Sequence, residues 1–439
     1  MKEYFHSVHL EKEKCRGCTN CIKRCPTEAI RVRKSKAQIT KERCIDCGEC
    51  LRVCPYHAKS AICDSLDMMN NFTYKVVLPA PSLYGQFEKI YSRLDILTAL
   101  RQIGFDYVYE VAGAAEMVSE ATRQMINEGG FKKPLISSAC PAVVKLIQVR
   151  FPSLIDNIVR LESPMEVAAK IARSELAQKL KVNEQEIGVF FITPCAAKVT
   201  SVKAPYEKHK SNVDGVISIQ EVYFRIRNNL AKKVSPDKNI KEASFEGIQW
   251  ANSGGESDAL DTDKILAVDG IHNVISIFEE IENDRLTDID FVEALSCTGG
   301  CLGGPLTVAN VYVAKTTLKK HIDDAVQKGI VSTTNKSYKE LGWTSNVEHK
   351  PVLKLDEDLS RAMEKMKKME LIHKGLPDLD CGACGAPSCR ALAEDIVRGL
   401  ANETDCIFKL RERIRDLAYE MVELEGKMPP VLDKEETTD

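Results

Sequence analysis

The sequence predicts an α/β protein carrying a small cysteine-bearing domain at either end. Three observations point there. Sixteen of the 17 cysteines sort into four sets of four, two compact sets before residue 64, one compact set after residue 380, and one set dispersed between them. From about 74 to 350, short apolar runs alternate with helical patterns, as in a mostly parallel sheet with crossover helices. Hydrophobic residues make up 44% and charged residues 28% of 439 positions, enough for a sizeable core and two to four domains.

The overall balance excludes some function classes. A net charge of −3 gives no reason to expect a nucleic-acid or membrane partner. No run of about 18 apolar residues is present, so no membrane span is expected. The opening Met1-Lys2-Glu3-Tyr4-Phe5-His6 lacks the pattern of a signal peptide. A cytoplasmic chain with reduced thiols is therefore expected, its cysteines serving as metal ligands rather than disulfides.

The first element in the chain is a doubled motif. Cys15, Cys18, Cys21 and Cys25-Pro26 form C-x2-C-x2-C-x3-C-P, and Cys44, Cys47, Cys50 and Cys54-Pro55 repeat it. Each tight loop wraps three thiolates round one 4Fe-4S cubane, and the fourth cysteine serves the other cluster. This assigns Cys15, Cys18, Cys21 and Cys54 to one cluster and Cys44, Cys47, Cys50 and Cys25 to the second. Zinc sites rarely use this doubled spacing. Between the motifs, Ala29–Arg33 and Ala37–Thr40 alternate as in a hairpin. A two-cluster ferredoxin-like (α+β) domain over residues 1–64 is expected. It holds 14 Lys and Arg against 8 Asp and Glu. That excess suits docking of an acidic ferredoxin-like electron carrier, or merely offsets the clusters' own charge. Cys63, outside every set, reads as a buried apolar thiol.

In the middle segment, Tyr74–Leu78, Tyr107–Val111, Leu135–Ser137, Gly188–Thr193 and Ile289–Leu295 read as buried strands. Glu166–Leu180 and Ile217–Asn228 read as helices. In such sheets, ligands bind beyond the carboxyl ends of the strands. Cys140, Cys195 and Cys297 each follow a predicted strand, with Cys301 one helical turn later. Four thiolates at one end of a sheet can converge on one metal site. Unrelated buried cysteines are the alternative.

Three loops carry a family resemblance. Ser137-Ser138-Ala139-Cys140-Pro141 is similar to T-S-C-C-P, Thr193-Pro194-Cys195-Ala196-Ala197-Lys198 to M-P-C-x-x-K, and the run from Glu293 through Cys297 and Cys301 to Gly304 to E-x-M-A-C-x-x-G-C-x-x-G-G. These are the signatures of iron–iron (FeFe) hydrogenases. Ala80-Pro81-Ser82, Ser163-Pro164 and Ser253-Gly254-Gly255 match further family positions. The resemblance covers about residues 1–350. It implies a two-lobed α/β catalytic domain over 74–350, with H2 and protons as substrates. It also implies an H-cluster, a 4Fe-4S cubane joined to a di-iron unit carrying CO, cyanide and a dithiolate bridge. By the same resemblance Cys140, Cys195, Cys297 and Cys301 hold the cubane, Cys301 bridges to the di-iron unit, Lys198 contacts one cyanide, and Ser82 with the Pro81 backbone contacts the other. A buried anionic acceptor needs such donors. The bland alternatives are a solvated lysine and a strand-end capping serine.

The chain also departs from the family. Ala139 stands where the family has a proton-transferring cysteine, and a methyl group cannot carry a proton. Val159 replaces a serine of the usual relay, Thr193 and Leu295 replace methionines, and Ser201 replaces a glutamate. No match to the relay's acidic members is found near 117–122, and the third loop lacks its usual third glycine and glutamine. A path through Thr193 or water stays open. The pattern resembles the sensory or regulatory subclass, with slow turnover. A non-catalytic hydrogenase-like iron–sulfur protein, acting in electron transfer or cluster assembly, is the alternative.

The last elements follow from spacing. Cys381, Cys384, Cys389 and Cys406 form C-x2-C-x4-C-x16-C, which predicts a small, mainly α 4Fe-4S domain over 360–408, with zinc as the other candidate. Leu410, Ile414, Leu417, Met421 and Leu424 recur at 4-3-4-3 spacing. The terminal helix over 409–425 either forms a homodimer or lies on its own domain. Residues 426–439 read as a disordered acidic tail. No output module follows, so a sensory role calls for a separate signalling partner.

Overall fold

The structure is a computed structural model and describes residues 5–232, 235–330 and 338–427. All but the first two residues of the expected tail lie outside the described residues. The chain forms two compact units. One comprises Met1–Cys15, Arg24–Ala29 and Ile39–Leu353; the other comprises Arg16–Lys23, Ile30–Gln38 and Lys354–Asp439.

Eleven strands are found among the described residues: β1 (Val8–Leu10), β2 (Ile30–Arg33), β3 (Lys36–Ile39), β4 (Lys59–Ala61), β5 (Tyr74–Pro79), β6 (Tyr107–Val108), β7 (Leu135–Ile136), β8 (Ile187–Thr193), β9 (Gly215–Ser218), β10 (Ile265–Asp269) and β11 (Phe291–Leu295). In the first unit, β1 and β4 pair antiparallel. A four-stranded sheet has the order β6-β5-β8-β9 and a three-stranded sheet the order β10-β11-β7. Every pairing in these two sheets is parallel. The mixed α/β architecture expected from the alternating apolar runs is the one observed.

Alternation of side chains across each strand explains the layering. Val76, Leu78, Val189 and Phe191 face one core with the helices Val111–Glu128 and Pro164–Leu180. Val77, Phe190, Ile192 and Ile217 face the opposite core with the helices Arg93–Arg101, Ile219–Ala231 and Val311–Gln327. Ile136, Val292 and Ala294 pack on the helices Pro141–Arg150 and Ile271–Glu282. Helices cover both faces, so the strands read as continuous apolar runs.

Three details differ from expectation. Ile217 lies in β9, not in the helix, which starts at Ile219 after Ser218 caps it through the Glu221 N–H. Strand β10 was not expected, because its central alanine and flanking charges mask the apolar signal. Tyr107–Val111 is a two-residue strand whose end already enters the next helix.

The second unit joins the β2–β3 hairpin to the C-terminal helices. Arg31 Nε and Arg33 Nη2 reach Asp395 Oδ2 at 2.7 and 2.6 Å. The Val32 N–H donates to the Gly385 carbonyl at 2.8 Å. Gly385 has φ +79°, and a Cβ there would meet the Val32 carbonyl oxygen at 1.9 Å; only glycine allows this approach. The terminal helix spans Ile407–Glu425.

Candidate metal centre and catalytic cavity

The loops that follow β5, β7, β8 and β11 open into one cavity of about 100 Å³, lined by Pro81, Ser82, Ala139, Cys140, Cys195, Lys198, Cys297 and Cys301. Residues from separate sheets meet here because each loop leaves the carboxyl end of a parallel strand. Pro141 starts the helix after Cys140, and Ala196 starts the one after Cys195. The second and third loops touch directly: a Cβ on Gly304 would lie 2.3 Å from the Pro194 carbonyl oxygen.

The four thiols influence one another. Burial, then Cys297 and Cys140, pushes Cys195 up to about 12. Burial also pushes Cys297 up to about 11, against the pull of Arg52. Cys301 is driven well above its ordinary value by burial and by Cys195, Cys297 and Cys140. Thiols clustered and raised in this way suit a multivalent cation, which would take them as thiolates.

The polar groups are few. Ser82 is fully buried, and its Oγ has no hydrogen-bond partner. A buried hydroxyl normally finds one, so Ser82 fits an acceptor supplied by a bound group. Lys198 lines the cavity. Its nearby counter-charge is Glu207, a residue sequence reasoning missed, held up at about 7 by burial against the pull of Lys198. Glu207 Oε2 also accepts the Ser163 N–H at 2.9 Å.

Thr193 does not line this cavity. Its hydroxyl donates to the Cys195 carbonyl and accepts the Cys195 N–H, at 3.1 and 3.2 Å. These two bonds close the loop around Cys195. Val159 is core, and Leu295 lines the cavity. Ala139 lies on the wall with its N–H on Ser137 Oγ, 3.2 Å.

Two carboxyls complete the wall, Glu256, which sequence reasoning missed, and Glu293, quoted there only as the head of the third loop. Glu256, immediately after Ser253-Gly254-Gly255, accepts the Ser137 hydroxyl at 2.6 Å. Burial first, and then the neighbouring Glu293, pushes Glu256 up to about 8. Glu293, at the head of the third loop, accepts the Gly254 and Ser257 N–H groups at 3.0 and 2.8 Å. Like charges so close and dry share a proton near neutral pH. The glycine–glutamate sequence was the only available signal for Glu256.

The second N-terminal loop leans on this site. Asp46, between Cys44 and Cys47, is 1% exposed. It binds Lys145 Nζ at 2.8 Å, Thr200 Oγ1 at 2.8 Å and the Ser7 N–H at 3.1 Å. Lys145 and Thr200 lie on the helices after Cys140 and Cys195, so one carboxylate ties the N-terminal loop to both. Arg52 binds Glu49 Oε1 at 2.6 Å and the Gly303 carbonyl at 2.5 Å. Despite burial, its guanidinium is held above its ordinary range by Cys297 first and then Glu49, with a hydrogen bond to Cys297.

Of the expected cluster sets, Cys25, Cys44, Cys47 and Cys50 lie together in the first unit. Burial, then Cys25, pushes Cys47 well above its ordinary value, with Cys50 and Cys44 adding to it. Cys25 and Cys54 each accept the N–H four residues ahead, from Ala29 and Ala58 at 3.2 and 3.3 Å. Cys15 and Cys54 belong to the first unit, and Cys18 and Cys21 to the second. In the second unit Cys384, Cys389 and Cys406 share one apolar cluster. Burial raises Cys384, and Cys381 and Cys406 act on it as well. Cys63 is only half-buried, a correction to the fully buried thiol expected.

Comparison with known proteins gives three family matches. The iron only hydrogenase large subunit, C-terminal domain, matches residues 73–305. A 4Fe-4S dicluster domain matches 7–55, and a putative Fe-S cluster family matches 376–408. The chain is 22% identical over 347 residues to the NADP-reducing hydrogenase subunit HndD of Solidesulfovibrio fructosivorans, covering 68% of this chain and 56% of that relative. It is 24% identical over 360 residues to the periplasmic Fe hydrogenase large subunit of Nitratidesulfovibrio vulgaris, covering 68% of this chain and 86% of that one. It is also 21% identical over 174 residues to the cytosolic Fe-S cluster assembly factor NAR1 of Saccharomyces cerevisiae, covering 38% and 35%. Among solved structures, a FeFe-hydrogenase HydA1 variant from Chlamydomonas reinhardtii aligns over 64% of this chain and 95% of its own, with 14% identity and a TM-score of 0.48. No helix among the described residues is long and apolar enough to cross a membrane.

Proposed function

Because the chain belongs to the iron-only hydrogenase large-subunit family over residues 73–305, we propose that it is a slow iron–iron hydrogenase, interconverting H2 with two protons and two electrons in a sensory or regulatory role in the cytoplasm. The observation that carries this reading is the unpartnered Ser82 hydroxyl beside Lys198 and four clustered thiols. A cubane alone needs only the thiols. An additional anionic group would give Ser82 an acceptor and add a partner for Lys198 beyond Glu207.

Cys140, Cys195, Cys297 and Cys301 would hold the H-cluster, with Lys198, Ser82 and the Pro81 backbone facing its di-iron unit. When bound, that unit supplies the metal centre at which H2 and protons interconvert. The chain's own residues govern proton and electron supply. Ala139 offers no exchangeable proton at the family's relay position. Glu256, hydrogen-bonded to Ser137 and paired with Glu293, is a carboxyl on the cavity wall that keeps a proton at neutral pH. Its departure from the family position accounts for slow turnover. The thiols of 25, 44, 47 and 50 would hold the relay cubane beside Cys297, with Arg52 between. Two further cubanes, on Cys15, Cys18, Cys21 and Cys54 and on Cys381, Cys384, Cys389 and Cys406, would extend the wire toward an acidic ferredoxin-like carrier.

The second reading is a non-catalytic iron–sulfur protein, supported by the similarity to NAR1. Infrared spectra after maturation with the di-iron cofactor separate the two. Sharp CO and cyanide stretching bands are expected. Cubane signals alone by electron paramagnetic resonance, after maturation of a control hydrogenase under the same conditions, overturn the hydrogenase reading.

A further inference from the structure

The terminal helix Ile407–Glu425 is attached at its first turn only. Cys406 is buried and Phe408 packs on the cysteine-bearing core. Beyond them, the apolar residues stand open: Leu410 is 42%, Ile414 57%, Leu417 41%, Met421 70% and Leu424 63% exposed. With Ile407 at 40% exposure, they form one seam at 3-4 spacing over the helix. The helix therefore does not cover its own domain. We propose that it pairs antiparallel with the same helix of a second copy of this chain.

Ile407, Ile414 and Met421 occupy one heptad position, a, and Leu410, Leu417 and Leu424 the other, d. The flanking charges then choose orientation and register. In a parallel pair, Glu420 of one copy would face Glu425 of the other, a like-charge contact. In an antiparallel pair using all six seam residues, Ile407 packs against Leu424, Leu410 against Met421, and Ile414 against Leu417. That register brings Arg413 of each copy against Glu420 of the other, twice by symmetry. Sliding by one heptad either way sets Arg413 against itself or Glu420 against itself, and strands part of the seam. Arg413 and Glu420 already share a flank, 3.9 Å apart and more than half exposed within one helix. At 19 residues the helix is about 28 Å long, and a helix of this kind draws most of its stability from packing of its amphipathic face rather than from propensity. Pairing supplies the missing packing.

The test is the mass of the full, anaerobically reconstituted chain by sedimentation equilibrium over concentrations up to roughly 100 µM. Twice the 48.9 kDa of one chain is expected. Leu417→Asp, on an exposed site that leaves the cysteine core untouched, should give monomer. Glu420→Arg should weaken the dimer about tenfold, since it replaces two opposite-charge contacts with like ones. Adding Arg413→Glu to it should restore the dimer. A monomer at every concentration overturns the proposal, as does a dimer indifferent to Leu417→Asp. Tightening by Glu420→Arg overturns the antiparallel arrangement in favour of the parallel one.

Discussion

In the proposed hydrogenase, Ala139 and Glu256 would divide the proton chemistry of the cavity between an absence and a substitute. Ala139→Cys places an acid–base group at the family's relay position and should raise hydrogen turnover at least tenfold, the lower range for a positioned proton donor being about 10²-fold; unchanged turnover in a steady-state assay would assign the limit to another step. Glu256→Gln should lower turnover and alter its pH profile. The raised value near 8 means that the Glu256–Glu293 pair keeps a proton below that pH and surrenders it above. Proton reduction should therefore fall as pH rises through about 8 in the native chain, and the fall should vanish in Glu256→Gln. Arg52 acts on electrons rather than protons. It places a positive charge against Cys297, which favours the more negative, reduced cubane. Arg52→Met should lower that cubane's midpoint potential, read by electron paramagnetic resonance titration of protein lacking the di-iron unit. A potential that stays fixed would reduce Arg52 to a packing role.

Among the elements, the loop bearing Asp46 has the largest mechanical burden. Asp46 is the buried counter-charge of Lys145, whose side chain is 6% exposed, and it also receives Thr200 and Ser7. Asp46→Ala should destabilise the first unit by about 3 kcal/mol, seen as a lower midpoint of thermal or denaturant unfolding. The strands around this site were legible in the sequence because strands buried on both faces are continuously apolar, and the cysteines were singled out by their place after those strands and by the spacing a cubane would demand. Asp46, Arg52 and Glu256 were not. Lys145, Gly303 and Ser137, a main partner of each, lie 99, 251 and 119 residues away in the chain, so only tertiary packing gives these otherwise ordinary charges their meaning. The hairpin tells the same story: its alternation predicted β2 and β3, but nothing in that alternation announces that Arg31 and Arg33 will be engaged by Asp395. That engagement also removes two cations from the basic excess expected to greet an electron carrier.

At the scale of the whole chain, the proposed assignment gives sixteen thiols to four cubanes. A fully reconstituted chain should bind about sixteen irons before the di-iron unit is added. Replacing Cys384 with serine should bring the count near twelve while leaving the central cubane's spectrum in place. Loss of the central signal along with it would mean that the stations assemble cooperatively. Loading should also protect the fold, since ligands dispersed from Cys140 to Cys301 close long loops when bridged by one metal group.

The solitary hydroxyl of Ser82 has a consequence for the unloaded molecule. A buried polar group without a partner costs about 1–3 kcal/mol, so the empty chain sits below the stability its own core could reach. Ser82→Ala should melt at a higher temperature when empty and yet retain the complete cofactor less firmly. Stability and use are set against each other at one oxygen atom, and a chain selected for durability alone would have discarded it.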